Sequence, residues 1–80
     1  MSNNNEITME VKDTIGVISE NESGWKKQLK IISWNGAEPK YDIRAWNPDE
    51  TRSGKGITLN IDELRALHKL TRDALFDVGE

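Results

Sequence analysis

Eighty residues, with eleven Lys or Arg against fourteen Asp or Glu, give a chain of net charge −3 that has one histidine and no cysteine. That length makes one small domain near the lower limit for a self-sufficient core, with no disulfide staple and no thiolate metal site; with a single histidine, neither a metal nor a cofactor is expected. No apolar run is long enough to span a membrane, and the opening Met1–Glu6 lacks the basic start and apolar stretch of a secretory signal, so a soluble, cytoplasmic protein is expected, with association with the nucleoid left open.

In chain order, residues 1–8 are polar, Asn-rich and without periodicity, which predicts a disordered tail ahead of a single domain over 9–80. From Met9 an alternation begins in which Val11, Ile15 and Val17 share one parity and Lys12, Thr14 and Ile18 the other, predicting a strand; Gly16 inside it predicts a bulge or bend. Asn21–Gly24 is a turn sequence, and a second strand runs from about Trp25 to Trp34. Asn35-Gly36 directly after it is a hairpin signal, because both residues tolerate positive φ. Pro39 opens a third strand ending near Trp46, where its missing N–H does least harm. The polar run 47–54 leads to a short fourth strand, Lys55–Leu59.

From Ile61 onward the chain reads as one helix. Asn60 is a good N-cap, and Glu63 three positions later completes a capping-box pattern. Leu64, Leu67, Leu70, Ala74, Leu75 and Val78 recur at spacings of three and four, and Gly79 is a suitable terminator. The expected fold class is therefore α+β: a four-stranded antiparallel sheet, its connections short, followed by one C-terminal amphipathic helix. The expected core is Val11, Ile15, Val17, Leu29, Ile31, Tyr41, Ile43, Ile57, Leu59 and the helix leucines. That is a small core, and the helix stripe is wider than one sheet face covers. A homodimer through the helices follows, with Leu67, Leu70, Ala74 and Leu75 at the contact.

The charge is unevenly spread. Residues 1–24 balance to −4, residues 25–55 to +3 and residues 56–80 to −2. A net negative chain runs against the usual basic footprint of a nucleic-acid binder, but a cationic middle between acidic flanks is compatible with a localised binding face. In the second strand Lys26, Lys30 and Trp34 share a face; in the third Lys40, Arg44 and Trp46 do, while Tyr41, Ile43 and Ala45 point the other way. Indoles on a cationic face suit the bases and phosphates of an unpaired nucleic-acid strand. Lys55, between Gly54 and Gly56, sits where backbone can approach a phosphate closely.

Blander readings stand beside these. Trp34 can cap the edge of a hairpin, and Arg44 can pair with Asp42 two residues away on the same face. Trp25 has the parity of Leu29 and Ile31 and is assigned to the core edge or dimer contact. Lys26, Lys27, Lys30, Lys40 and Arg52 can be a solvated face. His68, beside Leu64, Leu67 and Thr71, reads as a partly buried structural or dimer-contact residue. Gly54-Lys55-Gly56 lacks the spacing of a phosphate loop and leads into a strand. Asp42 and Glu38 form no acid–base pair, no serine has a histidine assigned near it, and no enzyme is expected.

The run Tyr41-Asp42-Ile43-Arg44, the aromatic at Trp46, a polar loop, then Gly54-Lys55-Gly56-Ile57-Thr58-Leu59-Asn60 and a leucine-bearing helix resembles the DNA-binding domain of the family of the transcriptional coactivator positive cofactor four, or p15. The resemblance covers about Trp25 to Leu75, and its Ser- and Lys-rich regulatory segment has no counterpart here, so the chain looks like a compact bacterial version. It implies a homodimer whose paired helices support two curved sheets with grooves for single-stranded DNA. By position it assigns Trp34, Trp46, Arg44 and Lys55 to that groove; Lys26, Lys30 and Lys40 come from strand parity. The expected function is binding of single-stranded DNA with little sequence preference, by stacking and phosphate neutralisation, in transcription regulation or in DNA replication or repair, with proteins of those processes as possible partners. A dimeric protein-interaction module that receives an acidic peptide, and a binder of single-stranded RNA, are the alternatives.

Overall fold

Short turn-forming runs bring each strand back beside the one before it. The computed structural model, which describes residues 8–79, shows that meander. Strands β1 (Met9–Glu20), β2 (Lys26–Trp34), β3 (Lys40–Trp46) and β4 (Ser53–Leu59) form one antiparallel sheet in chain order, followed by helix α1 (Ile61–Asp77). The β2–β3 turn is the one Asn35-Gly36 dictates: both residues have positive φ, 53° and 75°, and Ala37 N donates to Trp34 O at 2.8 Å. The predicted tail falls outside the described residues except for Thr8, which belongs to the fold. Its backbone N–H donates to Asn35 Oδ1 at 2.8 Å, and Asn35 N donates to Thr8 O at 2.8 Å.

β1 departs from simple alternation. Register shifts between Val11 and Asp13, Thr14 and Gly16, and Val17 and Ser19 put an extra residue into the strand three times. The residues opposite Ile32, Lys30 and Gln28 are thus Val11, Thr14 and Val17, at a spacing of three. Thr14 therefore joins Val11 and Val17 on one face, where period-two reading sets it on the other. Bulges bend a strand and increase its twist, and they make a poor template for edge pairing. Gly16 lies at one of the three.

At the N-terminus of α1, Asn60 Oδ1 accepts from Glu63 N at 2.8 Å while Glu63 Oε1 accepts from Asn60 N at 2.9 Å, completing the capping box. Asp62 and Glu63 in the first turn oppose the positive end of the helix dipole. The helix contacts β3 and β4, yet none of its residues is fully buried. Leu64 and Leu67 are half-buried, whereas Leu70, Ala74, Leu75 and Val78 are exposed. His68 is exposed as well, against the partly buried position expected for it.

The expected core is only half-covered within one chain. Leu29, Ile31, Tyr41, Ile43 and Leu59 are half-buried, and Val11, Ile15, Val17 and Ile57 are exposed. Burial is deepest on the opposite face: Ile32, Trp46, Gln28, Lys30 and Asp42 are the buried side chains there. The face predicted to carry solvated cations is the better packed one. Gln28, Lys30 and Asp42 are enclosed there because each has hydrogen-bond partners.

Candidate nucleic-acid interface

The register of β2 on β3 pairs Lys26 with Trp46, Gln28 with Arg44, Lys30 with Asp42 and Ile32 with Lys40. β4 adds Gly56 opposite Arg44 and Thr58 opposite Asp42. Since directly paired residues share a face, Lys26, Lys30, Lys40, Arg44 and Trp46 lie on one side of the sheet, and Trp34 shares it by strand parity. The shared face was legible from alternation alone. What each residue does on it was not.

One end of the face is open. Trp34, Ala37, Glu38, Lys40, Arg44 and Thr58 line a groove of about 460 Å³. The Arg44 guanidinium carbon stands 5.0 Å from the centroid of the Trp34 ring, within cation–π range. Three acceptors fix that guanidinium: Nε donates to Asp42 Oδ1 at 2.6 Å, Nη2 to Asp42 Oδ2 at 2.9 Å and Nη1 to the Gly54 carbonyl at 3.3 Å. Asp42 is 0% exposed and also accepts from Thr58 Oγ1 at 3.0 Å. The ion pair two residues along the strand, the plain alternative for Arg44, is thus formed. It makes Arg44 a fixed plane above an indole more than a mobile counter-charge. Gly56 is what lets β4 close on this arrangement, because a Cβ there would overlap the Ile43 carbonyl oxygen and Arg44 Cβ.

The other end is shut. The Lys30 ammonium donates to Thr14 Oγ1 at 2.8 Å and to Glu50 Oε1 at 3.0 Å, and it lies 5.0 Å from the centroid of the Trp46 ring. Lys30 is 2% exposed and Trp46 3%. The expectation that Lys30 offers a free ammonium and Trp46 a free indole face is corrected: in this conformation both are enclosed, with the carboxylate of Glu50 on the outer side. Gln28 Nε2 also faces Glu50, at 3.5 Å from Oε2. Lys30's hydrogen bond, and after it that of Gln28 and the charges of Lys30 and Lys26, hold the Glu50 carboxyl below its ordinary value of 4.5 against a smaller opposing effect of burial. A carboxyl with a lowered folded-state pKa contributes stability that is whole above its unfolded value and is lost as pH falls through the folded one. The Glu50 contact is therefore intact at neutral pH and weakens only in acid. Among the described residues, the indole N–H groups of Trp34 and Trp46 are enclosed without an acceptor.

Of the remaining expected contacts, Lys40 is exposed at the groove and Lys26 is half-buried beside Trp46. Lys55 is exposed between the Arg44–Gly56 and Trp46–Ser53 pairs, where the β3–β4 register shifts. The residue that sequence reasoning missed is Glu50. It stands in a polar loop at φ 60°, a left-handed conformation that nothing in Asn47-Pro-Asp-Glu-Thr announces. Among the described residues no group of His, Cys, Asp and Glu is arranged to hold a metal ion, and no helix is long and apolar enough to cross a membrane.

A small antiparallel meander with a trailing helix, carrying aromatic and cationic side chains together on one sheet face, defines the class of protein. Residues 21–70 match the family described as Transcriptional Coactivator p15 (PC4), and the chain belongs to that family. An uncharacterized protein of Treponema pallidum (strain Nichols) is similar over 74 residues at 45% identity, spanning 92% of this chain and 87% of that protein.

Proposed function

We propose that this protein binds single-stranded DNA with little sequence preference, as a homodimer, and serves transcription regulation or DNA replication or repair in the cytoplasm. The observation that carries the reading is the open groove in which the Trp34 indole, with the Arg44 plane fixed 5.0 Å from its centre, stands beside the exposed ammonium of Lys40. Unpaired bases stack on such surfaces regardless of identity, and cations track the phosphates. The family's description as a transcriptional coactivator supports the link to transcription. The dimer is supported by the apolar helix residues one chain leaves uncovered: Leu70 is 65% exposed, and Leu75 and Val78 are exposed with it. Monomers do not normally leave large contiguous apolar surface in water, and a second copy meeting the helix stripe would cover it.

Phosphate neutralisation sets a salt dependence. On a single strand, log affinity against log salt falls by roughly 0.7 for each phosphate neutralised. Lys40→Ala and Lys55→Ala are each expected to make that slope shallower by about this amount. Arg44→Ala is expected to weaken binding chiefly by destabilising the fold, because it leaves the fully buried Asp42 carboxylate without its cation. Fluorescence anisotropy of a labelled thymidine oligonucleotide over a salt series measures all three. Wild-type slope and affinity in both lysine variants would remove Lys40 and Lys55 from the interface.

A further inference from the structure

Beyond Arg44, the face that carries Trp34 continues to a second aromatic–cation pair, Trp46 with Lys30, and a single carboxylate pairs with its cation. Glu50 reaches in from the β3–β4 loop to Lys30 at 3.0 Å and to Gln28 at 3.5 Å. Its own side chain remains 47% exposed, so the anion arrives from the solvent side, while the lysine it meets is 2% exposed. The loop that delivers it is tied to itself. Asn47 N donates to Arg52 O at 3.0 Å, Glu50 N to Asn47 O at 2.9 Å and Arg52 N to Asn47 Oδ1 at 2.9 Å. Pro48 abuts the β1–β2 turn so closely that a Cβ at Gly24 would come within 3.0 Å of its ring. Glu50 is held at φ 60°, costly for a residue with a Cβ and sustained here by those loop contacts. The enclosed Trp46 indole N–H is left without an acceptor.

We propose that the Glu50 carboxylate stands in for a backbone phosphate of the nucleic acid, and that Lys30, Gln28 and Trp46 form a second nucleotide subsite that opens when a phosphate displaces it. This inference rests on the single-strand reading above. A phosphodiester carries the same single negative charge as the carboxylate and offers acceptor oxygens to both Lys30 and Gln28, so the buried ammonium keeps an anionic partner throughout the exchange. An unpaired ammonium at that depth would be strongly unfavourable, which is why the latch yields to an anion and not to water. A strand already anchored at Trp34 presents its next phosphates at high local concentration. An isolated anion has no such advantage, so the latch selects polymer over small anions. Only the exposed Glu50 side chain has to swing away, and the phosphate that replaces it brings the strand up to Lys30 and the Trp46 ring beside it.

The test uses the full chain, with the three tryptophan indole N–H resonances assigned by single Trp→Phe substitutions. Titration of the wild type with an unstructured thymidine oligonucleotide is expected to shift the Trp46 resonance as well as that of Trp34. In parallel, Glu50→Gln removes the competing charge. It is expected to raise oligonucleotide affinity roughly tenfold, the equivalent of one charge-assisted hydrogen bond no longer to be broken. The salt slope should steepen by about 0.7 as Lys30 becomes an uncompensated cation. Adding Lys30→Met to Glu50→Gln should abolish that gain. If Glu50→Gln fails to fold, the wild-type titration decides alone. Wild-type binding that saturates with the Trp46 resonance unmoved overturns the latch and leaves the single-strand reading standing. A wild type that does not bind the oligonucleotide removes both.

Discussion

Asp42→Ala is expected to lower the stability of the domain by about 3–5 kcal/mol, the usual loss when one partner of a buried ion pair is removed. The carboxylate is 0% exposed and accepts from Arg44 Nε at 2.6 Å, Arg44 Nη2 at 2.9 Å and Thr58 Oγ1 at 3.0 Å. Its removal leaves two guanidinium donors and the Thr58 hydroxyl without their acceptor. It also leaves a charge with 15% side-chain exposure without its counter-ion. Small domains are stable by only about 5–15 kcal/mol in total, so the variant should be largely unfolded near physiological temperature. Urea denaturation followed by tryptophan emission measures the loss. Removing both charges, as in Asp42→Leu with Arg44→Met, should recover much of it, because a buried ion pair rarely outperforms well-packed apolar side chains. On this account the pair is kept for the place it gives Arg44 beside Trp34. A change below about 0.5 kcal/mol for Asp42→Ala, the scale of an ordinary surface substitution, would mean that the guanidinium rehydrates freely and that its position beside the indole is not fixed.

Leu70→Glu has the second large expected effect and bears on the proposed dimer. Leu70 is 65% exposed in one chain, so a carboxylate there would cost a monomer almost nothing. At a symmetric contact the same substitution buries an unpaired charge twice, at several kcal/mol for each ion. Sedimentation equilibrium should find the wild type dimeric and Leu70→Glu monomeric, with a much lower midpoint of thermal unfolding. Leu64 and Leu67, half-buried within the chain, would by themselves hold the helix only weakly. A wild type that sediments as a stable monomer, or a Leu70→Glu variant as stable and as dimeric as the wild type, would contradict the helix-mediated contact.

The parts of this molecule legible in its sequence are those that local chemistry decides. Asn35-Gly36 sets a two-residue turn because both residues accept positive φ, and Asn60 with Glu63 sets the helix start because each satisfies the other's backbone N–H. Alternation in β2 and β3 brings Trp34, Arg44 and Lys40 to one face. Alternation fails in β1, where three bulges change the spacing from two to three and carry Thr14 to Lys30. It also says which residues share a face without saying which face is buried. That outcome depends on long-range partners: Asp42 for Arg44, and for Lys30 a glutamate twenty residues away. Glu50 carries no local signal, because its left-handed backbone is imposed by the hydrogen bonds of its loop. The sequence accordingly suggests two equivalent indole–cation sites, where the structure has one open and one closed.

The most direct test of single-strand binding is a parallel titration of wild type and Trp34→Ala with a single-stranded oligonucleotide and a blunt duplex of equal length. Base stacking on an aromatic contributes about 1–3 kcal/mol per base. The wild type should therefore bind the single strand more tightly than the duplex, and Trp34→Ala should lose about 5- to 150-fold in single-strand affinity with little change for duplex. Equal affinity of the wild type for both forms, or a Trp34→Ala variant that binds the single strand as well as the wild type does, would contradict recognition through the Trp34 groove.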